Sequence, residues 1–332
     1  MRLVPDETAT FSSRTRTSTN GAVFICPGQG VQYPGLLDPW LTSASTNDLC
    51  DRWSEALELD LRAASRDRDA LRNTAVVQPL ITAVSLLSYE TLSRTVRIDC
   101  GESCVIGHSV GELAAAAIAG FITFETAVTL ARARGNHMAT CCADQPTGML
   151  VLMPARKNPA SPEEILSLAS SSPHVSVANV NGGGQVVVAG RMSALEEFEL
   201  ALDSTVRAVY LEVAGAFHSK YMEPGRAAFA VDLSEARFSE RPVNCPVFFS
   251  NRDGRAVQSG ADIKDRLTSQ IVQPVRWDLC MSAASRTFGA SPVVELAPGN
   301  SYAKLWARQH NSPAGAPIVS LDGDFDSVAS VF

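Results

Sequence analysis

The 332-residue chain lacks any apolar run long enough to cross a bilayer. The longest, Leu113 to Ile122, is about half of the ~20 residues that a membrane helix needs, so it is read as a buried helix and no membrane contact is expected. Basic residues are in deficit: 28 Lys and Arg against 35 Asp and Glu leave a formal charge of −7, which excludes a general nucleic-acid binder. Any anionic partner must meet a local basic patch. Zinc-type cysteine spacing is missing too. The eight cysteines include Cys100-x3-Cys104 and the adjacent Cys141-Cys142, neither spaced for a metal, and they sit in apolar or helical text. Reduced structural thiols in a cytosolic protein, with no metal site, are expected. Repeats are absent, and the five histidines make the search for a catalytic base short.

What is present, 45% hydrophobic and 19% charged residues, fits a globular chain with one large domain or a large one carrying a smaller one. Residues 1–20, with Arg2, Arg14 and Arg16 among many Ser and Thr, read as a disordered extension. Asp6 and Glu7 argue against a transit peptide, and a leader, a tag or a natural extension stay open.

The chain is organised around Val105-Ile106-Gly107-His108-Ser109-Val110-Gly111-Glu112-Leu113. An apolar pair feeding a G-x-S-x-G pentapeptide that opens a helix-prone run reads as strand, tight turn and helix, the geometry of a nucleophile elbow. Ser109 would stand at its tip, beside unpaired helix N–H groups that favour an oxyanion. An ordinary Gly-Ser turn in an α/β protein is the competing reading.

Upstream, Gly21 to Cys26 reads as a strand ended by Pro27-Gly28-Gln29-Gly30. Val76 to Leu87 reads as a buried helix, with Pro79 near its first turn where a missing N–H costs nothing. Downstream, Thr123 can cap a helix whose apolar positions Ala127, Leu130, Ala131 and Met138 define one stripe. Arg134 falls on that stripe, Arg132 off it. A core-facing guanidinium needs an anion, either a carboxylate of its own chain or one from a ligand. From 147 to 213 the order is β-α-β-β-α-β, that of a ferredoxin-like unit, inserted in a large domain of residues 21–146 and 214–332. Asn181-Gly182-Gly183-Gly184 inside it is a hairpin signal rather than a phosphate loop. The large domain reads as α/β with a mainly parallel sheet. Near its end Val247 to Ser250 is a strand closed by the Asn251-Arg252-Asp253-Gly254 turn.

A serine nucleophile needs a base. His108 is locked beside Ser109, His137 lies near a helix end, His174 in a loop and His310 in a polar tail, which leaves His218 after the last strand of the insert. A purely structural histidine is the alternative. Taken together, Pro27-Gly28-Gln29-Gly30, Gln78-Pro79, Gly107 to Glu112, Arg134-Gly135, Asn179 to Gln185, Gly215-Ala216-Phe217-His218 and Gln270 to Trp277 follow one order over about Ala22 to Leu305. In that order the sequence resembles the malonyl-CoA:acyl carrier protein transacylases of bacterial type II fatty-acid synthesis.

The resemblance implies a large α/β hydrolase-like domain with a ferredoxin-like insertion. By position it makes Ser109 the nucleophile, His218 the general base, and Gln29 and Val110 the backbone donors of the oxyanion hole. Arg134 matches the residue that grips the malonyl carboxylate, and Gln270 the one whose main-chain carbonyl orients the histidine. Asn179 and Phe217 join the substrate-binding set, Phe217 resembling the residue of malonyl-selective members. Departures include Cys26 for an aromatic and Gly183 for a frequent Pro. The implied partners are malonyl-CoA and acyl carrier protein, with no cofactor, in a monomeric cytoplasmic enzyme. Three rivals stay open: a polyketide-synthase acyltransferase, an α/β-hydrolase thioesterase and a non-catalytic binding module. The thioesterase would place its oxyanion loop before the nucleophile and an acid between Ser and His.

Overall fold

The computed structural model describes residues 21–142, 146–240, 242–310, 316–322 and 325–332, so the extension expected at 1–20 lies outside the described residues. Among the described residues ten strands are numbered in order: β1 Val23–Cys26, β2 Cys104–Gly107, β3 Thr147–Pro154, β4 Ser176–Gly182, β5 Gln185–Arg191, β6 Val206–Tyr210, β7 Val247–Phe249, β8 Val275–Arg276, β9 Val293–Glu295 and β10 Ile318–Ser320. They form two sheets.

The first sheet, in the order β10-β9-β1-β2-β7, is parallel throughout. All residues of β1 and β2 are buried, as strands covered by helices on both faces must be. Because side chains alternate across a strand, Phe24, Cys26 and Val105 pack on one face with the helices Thr74–Thr95, Gly111–Ile118 and Phe124–Cys141. On the other face, Val23, Ile25, Cys104 and Ile106 meet the helices Trp277–Phe288 and Ser301–His310.

The second sheet runs β6-β3-β5-β4-β8. Its first four strands are antiparallel and come from the β-α-β-β-α-β segment, with helices Pro162–Ser171 and Met192–Leu200. The fifth, β8, pairs parallel to β4 and arrives from far downstream, which the sequence pattern did not show. Alternation again divides the strands: Leu150, Leu152, Val186 and Val188 bury against the two helices, while Met149, Val151, Val187 and Ala189 face the main core. The Asn-Gly-Gly-Gly stretch is the β4–β5 hairpin, turning through Gly183 and Gly184 at φ +56° and +80°.

The Thr74–Thr95 helix differs from its sequence reading. Asn73 caps it, so Pro79 lies in its second turn rather than its first, and the Ala75 carbonyl loses its helical N–H donor. Arg132, from the neighbouring Phe124–Cys141 helix, supplies the replacement by donating to that carbonyl at 2.7 Å. Helical period turns Arg132 off the apolar stripe on which Arg134 sits and toward this carbonyl. We expect Arg132→Ala to lower stability in a urea melt by about 1–3 kcal/mol, the cost of an unmet carbonyl. Adding Pro79→Ala should recover part of that loss, since residue 79 then donates to Ala75. Among the described residues this helix is the one long and apolar enough to cross a membrane, yet 72% of its most apolar window is buried within the protein. It is a core helix. A second difference concerns His310, expected in a polar tail but placed at the end of a helix, with its ring against Trp306.

Candidate active site

Strand β2 ends at Gly107, and the chain turns sharply through Ser109 into the Gly111–Ile118 helix. Both glycines are sterically required. A Cβ on Gly107 would lie 2.2 Å from the Gly111 carbonyl oxygen, and one on Gly111 2.3 Å from that of Cys26. Ser109 itself stands at φ +53°, a backbone conformation that residues with a Cβ adopt only when their surroundings enforce it. That is the strained elbow expected from the pentapeptide.

The Ser109 Oγ is 2.7 Å from Nε2 of His218. The other ring nitrogen, Nδ1, is 2.8 Å from the main-chain carbonyl of Gln270. A carbonyl can only accept, so Nδ1 carries the proton and Nε2 is free to take one from the serine. His218 also stands at positive φ, +56°, in a loop held where the Ala216 N–H donates to Thr147 Oγ1 and the Ser219 hydroxyl to the Ala216 carbonyl. Gly215 permits that loop to lie close to Cys142, whose Sγ would be 2.6 Å from an added Cβ.

Arg134 is buried and donates to three oxygens: Gln78 Oε1 at 2.8 Å, Gln270 Oε1 at 2.8 Å and Ser109 Oγ at 3.1 Å. None is a carboxylate. The buried carboxylate of Glu112 reaches it only through the Gln270 amide, whose Nε2 donates to Glu112 while its Oε1 accepts from Arg134. The sequence left open whether the anion for Arg134 came from its own chain or from a ligand. Hydrogen bonds to neutral amide oxygens and the hydroxyl hold the guanidinium, with the one nearby carboxylate a step away.

A cavity of about 320 Å³ opens over the elbow, lined among others by Gln29, Val110, Asn179, Phe217 and both members of the Ser109–His218 pair. No hydrogen bond to another described residue engages the Gln29 or Val110 N–H. Its floor includes His108, whose Nε2 meets Asn181 Oδ1 at 2.9 Å and whose ring packs on Trp277 and Tyr302. The Tyr302 hydroxyl accepts the Gly28 N–H at 3.2 Å, tying the Gln29 loop to this cluster. All eight candidate residues therefore converge on one place. Sequence reasoning gave no role to Asn251 or to the carboxylate of Glu112, both buried beneath the elbow. Glu112 could have been noticed, as a lone carboxylate at the mouth of a fully apolar helix.

Burial sets the charges. It pushes His218 down to about 3, with Arg134 lowering it further, so the imidazole is neutral across the physiological range. Arg134 is lowered to about 10 by burial against the opposing pull of Glu112, and stays cationic at neutral pH. Glu112 is raised to about 7 by burial, opposed by hydrogen bonds from Asn251, Ser250 and Gln270 and by the charge of Arg134. A base titrating this low should contribute no histidine step to the rate of Ser109 acylation between about pH 7 and 5, where an ordinary imidazole near 6.5 would lose most of its basic form, so a shallower change there reports Glu112. Initial rates in that window check it; a fall of about tenfold per pH unit below 6.5 would show a solvated histidine. The sign for stability is the opposite of a salt-bridged histidine. The folded form refuses a proton that the unfolded chain accepts, so this contribution is full above about 6.5 and shrinks as pH falls toward 3.

Fold and site together are those of an α/β acyltransferase. The chain belongs to the acyl transferase domain family, which it matches over residues 23–317. It is 38% identical over 310 residues to the malonyl CoA-acyl carrier protein transacylase of Mycobacterium tuberculosis, spanning 92% of this chain and 99% of that protein. Among solved structures, MCAT from the same organism matches with a TM-score of 0.83 at 36% identity, over 93% of this chain and 99% of that one. The malonyl-CoA:acyl carrier protein transacylase of Helicobacter pylori matches with 0.81 at 27% identity, over 94% and 97%.

Proposed function

We propose that this chain moves a malonyl group from malonyl-CoA to the phosphopantetheine thiol of acyl carrier protein through a malonyl-serine intermediate. The observation that carries the reading is a buried cation, Arg134, donating to the same Oγ that is hydrogen-bonded to Nε2 of His218, whose Nδ1 faces the Gln270 carbonyl. His218 Nε2 takes the proton as Ser109 Oγ attacks the thioester carbonyl. The tetrahedral oxyanion is met by the N–H groups of Gln29 and Val110, and the proton on His218 goes to the departing thiolate of coenzyme A. Carrier thiol then reverses the sequence: His218 accepts its proton, the thiolate attacks, the acyl–Oγ bond breaks, and His218 returns the proton to Ser109 Oγ. Throughout, Arg134 holds the far carboxylate of the acyl group in a paired, charge-assisted contact. The two half-reactions draw on side chains and amides of this chain alone, so we propose that no cofactor takes part.

The test is direct. Incubation with malonyl-CoA should add the mass of one malonyl group, mapped by peptide digestion to Ser109, and purified holo-acyl carrier protein should discharge it. Attachment at another residue, or discharge to water alone at the same rate with and without carrier, would reject the proposal. Running fatty-acid and polyketide carriers side by side assigns the acceptor.

A further inference from the structure

Asn251 is fully buried just beyond β7, and each of its polar groups is engaged. Its Oδ1 accepts the Ser109 N–H at 2.8 Å, and its Nδ2 donates to the Gly107 carbonyl at 2.7 Å. Its own N–H donates to Glu112 Oε1 at 2.6 Å, and its carbonyl accepts the Arg276 N–H at 2.8 Å. A Cys280 Sγ contact at 3.5 Å completes the set.

The placement has a simple origin. The β2–β7 ladder pairs Cys104 with Val247, Val105 with Phe248 and Ile106 with Phe249, and there it stops because β2 turns into the elbow. One step further, the Asn251 side-chain amide takes the place of a backbone peptide: it donates to Gly107 and accepts from Ser109, gripping the chain on both sides of His108. This is where the backbone is strained, with Ser109 at φ +53°. Letting that angle relax would rotate the flanking peptides, carrying Oγ away from His218 and turning the Val110 peptide at the cavity. The occupied Ser109 N–H also cannot serve as an oxyanion donor, which leaves that task to the next residue.

We infer that Asn251 is a positioning residue, its main-chain N–H anchored by the Glu112 carboxylate and its side-chain amide holding the elbow in its reactive shape. The inference rests on the acyl-transfer reading of Ser109.

Two variants test it. Asn251→Ala removes both hydrogen bonds of the amide; the isosteric Asn251→Asp keeps the acceptor for Ser109 but sets an oxygen against the Gly107 carbonyl, and decides the matter should the alanine variant fail to fold. At a temperature where melting curves show the variant folded, single-turnover attachment of malonyl to Ser109 is followed by rapid quench and intact mass. Malonyl-CoA affinity is measured separately, by calorimetry on a Ser109→Ala background. Attachment should slow by about 100-fold, the effect of displacing a reacting group by about 1 Å, while affinity changes by no more than about threefold. Attachment at the wild-type rate, or rate and affinity falling together as in a collapsed site, would overturn the assignment. If the wild-type protein takes up no malonyl group, the acyl-transfer reading fails instead. Labelling of Ser109 by phenylmethylsulfonyl fluoride then carries the same comparison, with variants labelled as fast as wild type overturning the assignment.

Discussion

Arg134→Ala should lower malonyl kcat/KM by roughly 30- to several-thousand-fold, because truncating one member of a buried, hydrogen-bonded charge pair costs about 2–5 kcal/mol. Acetyl-CoA, which has no second carboxylate, should lose far less and stands to gain, since the vacated space no longer holds an unpaired cation. The structure sharpens this expectation. In the free protein the guanidinium rests on two amide oxygens and the Ser109 hydroxyl, so its charge is solvated by dipoles but not neutralised by direct contact. An incoming carboxylate supplies the missing charge, and a bidentate pair with arginine is one that lysine could not reproduce. The competing expectation treats Arg134 as a strut that fixes Glu112 through Gln270. It predicts an early-melting protein that loses both substrates in equal proportion. One mutant preparation, assayed with malonyl- and acetyl-CoA and melted by heat, separates the two.

Removing the base should be as severe. His218→Ala is expected to slow Ser109 acylation by about 10²- to 10⁴-fold, the usual share of a positioned general base. The more telling result is the pH profile. The wild-type rate should show no climb of about tenfold per pH unit through the neutral range because the imidazole is already neutral there, whereas in the variant the serine must lose its proton to solvent. Its residual rate should therefore climb about tenfold per pH unit. Single-turnover intact-mass measurements from pH 6 to 9, on a logarithmic pH scale, read this directly. A variant that acylates at the wild-type rate would place the base elsewhere, and with His108 pushed down to about 4 and hydrogen-bonded to Asn181 there is an obvious second histidine to examine.

Much of the site was legible before any coordinates. The elbow announces itself because two glycines flank the serine, and the 2.2 and 2.3 Å clashes that a Cβ would suffer there are the physical content of that pattern. Helical period placed Arg134 on the buried face that Ala127, Leu130, Ala131 and Met138 define, while a role in gripping a ligand carboxylate came only with the family resemblance. Pro79 shows the limit of such reading. Its cost depends on its place in the helix, which Asn73 sets by starting the helix a few residues before the apolar run, and on an arginine from another helix that covers the freed carbonyl. Asn251 is one letter of a turn in the sequence, since Asn-Arg-Asp-Gly is turn text whichever way its side chain points.

By itself, then, the sequence determined what local chemistry can determine: where strands and helices fall, where the chain must turn, and that Ser109 stands at a tight turn and Arg134 on a core-facing stripe. These follow from period, steric need and residue type over a few neighbouring positions. Only the tertiary structure decided how groups 109 residues apart, Ser109 and His218, come to share a proton at 2.7 Å. Only it put the Gln270 carbonyl, which the resemblance named without geometry, at 2.8 Å from Nδ1 of His218, set a side-chain amide from just beyond β7 past the end of the β2 ladder, and joined β8 to a sheet begun far upstream. Those contacts are made between segments whose separation along the chain carries no period and no spacing rule. They exist because burying two apolar faces of one sheet brings the ends of its strands together, and the polar groups exposed there must find each other or remain unpaired.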